Sequence, residues 1–179
     1  EYSPSEGIKS LREKLVQYYD KFHIHVTADD IIITTGGSEA VLFSFMACLD
    51  PGDEIIVPEP AYANYMAFAI SSGAVIKTLP SSIEEGFALP SIEKFESLIT
   101  PKTKAILICN PNNPTGQLLG REYLPELLEH CRQQGIIVVL DECFIEFCES
   151  GREQPKFLLG EIGQYENLLL VRAFTKSFA

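Results

Sequence analysis

Gly135-Ile-Ile-Val-Val-Leu-Asp-Glu-Cys-Phe144 decides how this chain is read: five apolar residues in a row, Ile136 to Leu140, stop abruptly at two acids, Asp141 and Glu142. A run this short and this rich in β-branched side chains reads as a strand buried on both faces, and such strands belong to parallel sheets covered by helices. Asp141 then stands at the carboxyl end of a central strand, where open α/β sheets take their ligands. A carboxylate there is costly to desolvate unless something cationic meets it.

The same alternation repeats on both sides of this strand. Upstream, Lys104 to Cys109 is a second buried strand that runs into Asn110-Pro111-Asn112-Asn113-Pro114-Thr115-Gly116. Two prolines and a glycine restrict that loop's backbone, so its three asparagines point in set directions. Leu124, Leu127, Leu128 and Cys131 mark the helix between the two strands, ending near Gly135. Further upstream, Glu54 to Pro58 and Val75 to Leu79 read as strands, with a helix through Tyr65, Phe68 and Ala69 between them and a short helix over Ser91 to Ile99 after them. Tyr62 falls at a strand's carboxyl end, where an aromatic ring can stack on a flat ligand; taken alone it reads equally as a core aromatic. Downstream, after a loop at 148–166, Asn167 to Val171 is the last strand and delivers Arg172-Ala-Phe-Thr-Lys176. Lys176 is the candidate cation.

At the amino-terminal side, Ser5 to Phe22 carries Leu11, Leu15, Tyr18 or Tyr19 and Phe22 at helical spacing and predicts an amphipathic helix. Asp30 to Thr35 is read as a short strand, followed by Gly36-Gly37-Ser38 and a nearly all-apolar helix over Ala40 to Leu49. Strand, glycines and helix start together present backbone N–H groups and the positive end of a helix dipole to an anion, for which phosphate is the natural occupant. A plain glycine turn with Ser38 as N-cap is the competing reading.

Composition bounds the function. A chain of 179 residues, 46% hydrophobic and 22% charged, suits one domain with a sizeable core. A net charge of -11 and a pI near 4.7 argue against nucleic acid or an anionic membrane as partner. The five cysteines, at 48, 109, 131, 143 and 148, sit mostly in apolar stretches, which favours a reducing cytosol over a disulfide framework. No Cys/His spacing suggests a metal, and the His23-x-His25 pair reads as part of a solvated loop. There is no signal peptide and no apolar run of about 18 residues or more. No Gly-x-Gly-x-x-Gly and no Walker-type Gly-Lys-Ser/Thr occurs, which leaves a nucleotide-binding domain as the weaker alternative. The chain opens on Glu1-Tyr2 without a methionine and closes on Phe178-Ala179 in the first turn of an expected helix, so it reads as part of something longer.

Tyr2 with Gly7, Gly36-Gly37-Ser38, Pro60-x-Tyr62, Asn110-x-x-Asn113-Pro114-Thr115-Gly116, Asp141-Glu142 and Thr175-Lys176 stand in an order and spacing that resembles the class I/II aminotransferases, fold-type I enzymes that use pyridoxal 5'-phosphate. The resemblance covers essentially the whole chain. It implies the three-layer α/β/α large domain of that fold, with a mostly parallel sheet, truncated before the last strand and before a small carboxyl-terminal domain. Residues 1–179 are then a partial cofactor-binding large domain.

The resemblance also implies roles. Lys176 would form the Schiff base with the cofactor aldehyde and afterwards shuttle a proton. Asp141 would pair with the pyridine nitrogen and keep it protonated. Asn113 would hydrogen-bond the phenolic oxygen, Tyr62 would stack on the ring, and Gly37 and Ser38 would hold the phosphate. Tyr2 would reach the phosphate of a neighbouring subunit, which requires a homodimer. The implied reaction moves an amino group between an L-amino acid and a 2-oxo acid in the cytoplasm.

Three departures qualify that reading. Phe144 stands where most members have tyrosine, and Ala173 where many have a phosphate-binding serine or threonine. Residues up to about Gly116 resemble aspartate-type aminotransferases, whereas Asp-Glu-Cys-Phe and Ala-Phe-Thr-Lys are closer to the threonine-phosphate decarboxylase and histidinol-phosphate aminotransferase branch. A decarboxylase or lyase of the same fold is therefore the alternative enzyme, and a non-catalytic truncated domain the alternative outside catalysis. The family's arginine after the lysine, its last strand and its carboxylate-binding arginine have no counterpart here, so the chain alone is expected to be weakly active or inactive.

Overall fold

The computed structural model describes residues 2–21, 24–120, 122–148 and 162–177. Its centre is the strand read first. β4 (Ile137–Asp141) lies between β3 (Thr103–Cys109) and β5 (Leu168–Val171), and β1 (Glu54–Glu59) and β2 (Val75–Pro80) complete a five-stranded sheet in the order β2-β1-β3-β4-β5. Every pairing is parallel.

Helices cover both faces because alternate strand residues are apolar on both. On one face Ile55, Val57, Leu107 and Val139 pack with Phe45 of α2 (Gly37–Cys48) and Tyr65 and Ala69 of α3 (Asn64–Ser71). On the other, Ile56, Ile106, Ile108, Val138 and Leu140 pack with Phe95 of α4 (Ile92–Glu96) and Leu124, Leu127, Leu128 and Cys131 of α5 (Tyr123–Gln133). Burying each such Leu, Ile or Phe contributes roughly 1.5–3 kcal/mol. This is the three-layer α/β/α arrangement that the family resemblance implies, built on the helix-covered parallel sheet read from the apolar runs. Gly135 closes α5 with φ 67°, a left-handed conformation that suits glycine, and Ile136 N–H then bonds Cys131 O as the chain turns into β4.

Two expectations at the amino-terminal side are corrected. No strand forms over Asp30 to Thr35. Residues Ala28–Asp30 make a 3₁₀ turn with a Thr27/Asp30 capping box, and the extended segment after it bonds Ile33 N–H to Glu6 O instead of joining a ladder. A groove of about 590 Å³ separates this segment from Leu170 and Val171 of β5, so the β-branched pattern has no strand beside it to pair with. The first helix is also shorter than read: α1 is Lys9–Asp20, and it buries Arg12 while Leu11 stays exposed. Arg12 is drawn inward by Gly7 O, Ala28 O and the Glu6 carboxylate, three acceptors that the apolar spacing does not reveal. Phe22 lies outside the described residues.

Register places the chemistry. Cys109 pairs with Asp141, and Asp141 with Val171, so β3, β4 and β5 end level with one another. The loops that leave these strands, and the one leaving β1, open on the same edge of the sheet, the crevice side of an open α/β fold.

Candidate active site

At that edge a cleft of about 460 Å³ is lined by Gly37, Ser38, Tyr62, Asn113, Asp141 and Lys176, with Tyr65, Cys143, Phe144 and Ala173 in its wall. Six of the seven expected site residues therefore meet, drawn from five separate stretches of chain. Tyr2 does not: its side chain is fully exposed and lines none of this cleft.

Asp141 is 6% exposed and both of its oxygens are engaged. Oδ2 accepts the Tyr65 hydroxyl at 2.6 Å, and Oδ1 accepts the Cys143 backbone N–H at 2.9 Å. These donors hold a carboxylate in place without neutralising it. Burial, then the neighbouring Cys109 and Asp141, push the Tyr65 hydroxyl well above its ordinary pKa, so Tyr65 keeps the proton it donates. The sequence alone marks Tyr65 only as part of a helix. The available signal was its hydroxyl, since a buried tyrosine needs a polar partner.

The asparagine loop divides its labour. Asn110 Oδ1 accepts Leu119 N–H at 3.0 Å, and Asn112 Oδ1 accepts the Thr115 N–H and hydroxyl at 3.1 and 2.8 Å. Asn112 Nδ2 also reaches Pro60 O at 3.2 Å, tying this loop to the one that carries Tyr62. Asn113, braced from both sides, lines the cleft. Tyr62 meets the Tyr65 ring edge-on, centroids 5.4 Å apart at 86°, and accepts Asn64 Nδ2 on its hydroxyl at 2.7 Å.

The turn before α2 forms the opposite wall. Gly36 is the N-cap, no side chain caps the first turn, and Ser38 is an ordinary helical residue rather than the N-cap. A Cβ added to Gly37 would lie 2.7 Å from Cys143 Sγ and 3.4 Å from the Ala173 methyl, so only glycine lets this turn come so close to the loops after β4 and β5. Glu39 folds its carboxylate back onto the Thr35 N–H at 2.6 Å.

Lys176 sits in α6 (Phe174–Ser177), with Nζ 5.6 Å from the centroid of the Phe144 ring. A phenyl ring offers this amine no hydrogen bond, which is the local consequence of having Phe144 where a tyrosine was expected. The cleft thus contains an amine, a fixed carboxylate, an amide, a flat aromatic and an uncapped helix start. That donor set fits pyridoxal phosphate: Asp141 for a protonated ring nitrogen, Asn113 for a phenolic oxygen, α2 for a phosphate and Lys176 for an aldehyde carbon.

Elsewhere, among the described residues, no group of three or more His, Cys, Asp or Glu could hold a metal ion, and no helix is long and apolar enough to cross a membrane. His25 is exposed beside Asp20, and His23 lies outside the described residues.

The family model described as aminotransferase class I and II matches residues 1–179. The chain is 35% identical over 179 residues to the aspartate/prephenate aminotransferase of Thermus thermophilus, covering 99% of this chain and 45% of that protein. It is 33% identical over 180 residues to the aspartate aminotransferase of Pyrococcus horikoshii, again 99% of this chain and 45% of the relative. Among solved structures, an aromatic aminotransferase from Pyrococcus horikoshii OT3 superposes with a TM-score of 0.88 at 28% identity, over 99% of this chain and 48% of that one. The chain spans a little under half the length of these relatives.

Proposed function

The chain belongs to the class I and II aminotransferases, a pyridoxal-phosphate-dependent family, and from that premise we propose that the protein it comes from transfers an amino group between an L-amino acid and a 2-oxo acid. The observation that carries this reading is the convergence of Lys176, Asp141, Asn113, Tyr62 and the Gly37-Ser38 turn on one cleft.

When bound, pyridoxal phosphate supplies an electron sink for a carbanion formed at the substrate α-carbon. The chain's own residues do the rest. Lys176 Nζ would be the attachment point for the cofactor, and its amine the base that takes and returns the substrate's α-proton. Asp141, oriented by Tyr65 and the Cys143 N–H, would hold a proton on the ring nitrogen. Asn113 would donate to the phenolic oxygen, and Tyr62 would stack on the ring and exclude water. The Gly37 and Ser38 N–H groups and the Ser38 hydroxyl would bind the phosphate, at a helix start that favours an anion. Ala173 contributes only a methyl to that site.

Tyr2, exposed and away from its own cleft, serves the phosphate of a second copy in a homodimer. Five free cysteines suit a cytosolic setting, and a net charge of -11 disfavours nucleic acid as a partner.

A decarboxylase or lyase would use the same lysine and aspartate, and Phe144 and Ala173 are the residues that keep it in contention. Assay of the intact protein separates the two. An L-amino acid paired with a 2-oxo acid should exchange amino groups, whereas release of CO2 or of a side chain without amino transfer would overturn the proposal.

A further inference from the structure

Beside the cleft, on the side facing α1, lies a charged cluster that the roles above leave unused. Glu142 is fully buried, directly after Asp141. Its Oε2 accepts both Nε and Nη2 of Arg172, at 2.9 and 2.7 Å, while its Oε1 is buried with no partner. The other edge of the same guanidinium reaches Glu146 Oε1 at 3.0 Å. Arg172 is four residues before Lys176, and Glu142 and Glu146 flank the turn that carries Phe144.

Backbone pairing runs out at this point. Glu142 N–H bonds Val171 O at 2.9 Å as the last rung between the two chain segments, and beyond it the side chains take over. Arg172 therefore bridges the turn after β4, which starts at Asp141, to the turn after β5, which ends at Lys176. The geometry points to Arg172 as a positioning residue: forked between Glu142 and Glu146, it fixes where Lys176 stands relative to Asp141 and Phe144. This inference rests on the proposed role of Lys176 and adds residues that role does not name.

The cluster's ionisation agrees with such a coupling. Burial raises Glu142 to about 7, against the opposing pull of Arg172 and with Glu146 and Asp141 adding to the rise. Among the described residues, the charged or titratable groups that act on it are Arg172, Glu146, Asp141, Cys148 and Tyr19 of α1, while Tyr18 faces Glu146 and Arg172 of the same cluster. Above that pH Glu142 meets the guanidinium as a carboxylate; below it, Glu142 meets it only as a neutral hydrogen-bond acceptor.

The test follows acetylation of Lys176 in the ligand-free chain between pH 5.5 and 9, read by peptide mass spectrometry against Lys94 on the far side of the sheet. The wild-type ratio should break near the ionisation of Glu142. Glu142→Gln should remove the break and shift the ratio about tenfold, the scale of one charge-assisted hydrogen bond. Arg172→Lys keeps the charge but cannot fork between two carboxylates, and should reproduce that shift. Profiles in both variants that superimpose on wild type would overturn the proposal.

A second arm measures affinity for pyridoxal 5'-phosphate together with the melting temperature. Glu142→Gln should weaken binding while leaving the melting temperature above pH 7 unchanged or raised. Parallel losses of affinity and melting temperature at every pH would make the cluster merely structural and contradict the inference. A wild-type chain that binds no cofactor would count against the functional reading, and the ligand-free acetylation would still decide the positioning claim.

Discussion

Tyr65 and Asp141 stand 76 residues apart in sequence and meet at 2.6 Å, hydroxyl to carboxylate, inside the fold. In the sequence Asp141 is a strand-end acid that calls for a cation. In the folded chain it is held by two neutral donors instead, Tyr65 and the Cys143 N–H, and its charge is left over for a ligand.

Tyr65→Phe removes one of those donors together with the same hydroxyl's hydrogen bond to the Cys109 thiol. A buried acceptor that loses its partner costs about 1–3 kcal/mol, so denaturant unfolding should report a loss in that range. Affinity for pyridoxal 5'-phosphate should fall as well, because Asp141 loses its fixed orientation. Unchanged stability and affinity would mean that the contact orients nothing.

Gly37→Ala introduces a methyl 2.7 Å from Cys143 Sγ. The expected result is a destabilisation of about 1–3 kcal/mol, typical of overpacking, with weakened phosphate and cofactor binding. Pairing it with Cys143→Ala should recover most of the loss, since the clash is with that sulfur. If the double variant is as impaired as Gly37→Ala alone, the close approach is not the reason glycine stands there.

Legibility in the sequence followed physical scale. The strands Glu54 to Pro58, Lys104 to Cys109 and Ile136 to Leu140 are legible because burial on both faces forces continuous apolar runs, and Asp141 stands out because it ends one of them; Asn113, Gly37 and Lys176 are singled out by the motifs of the family resemblance. Asp30 to Thr35 misled for the complementary reason: its β-branched residues satisfy local propensity, but a strand needs a neighbour, and a groove lies on that side. Arg12 and Leu11 exchanged places because acceptors at Gly7 and Ala28 come from outside the helix. Tyr65 and the Glu142–Arg172 pair were invisible as site elements, since each acquires its meaning from a contact with a distant segment.

The pH dependence of stability should carry the signature of Glu142. Its folded value is raised from 4.5 to about 7 by burial. A group raised in the folded state stabilises most when protonated in both states, so its contribution is fully present below about 4.5 and is lost as pH rises through about 7. By linkage the loss is at most ~3 kcal/mol. Melting curves across pH 4.5 to 8 should show that decline in the wild type and a flatter profile in Glu142→Gln; equal slopes would contradict the assignment.

The proposed function stands or falls on Lys176 being the amine that takes pyridoxal phosphate in this cleft. Incubating the chain with the cofactor, reducing with borohydride and mapping the labelled peptide decides the matter. A visible absorbance band and a single reduced adduct on Lys176 are expected, with both lost in Lys176→Ala. An adduct on another lysine, or one that persists undiminished in Lys176→Ala, would contradict it.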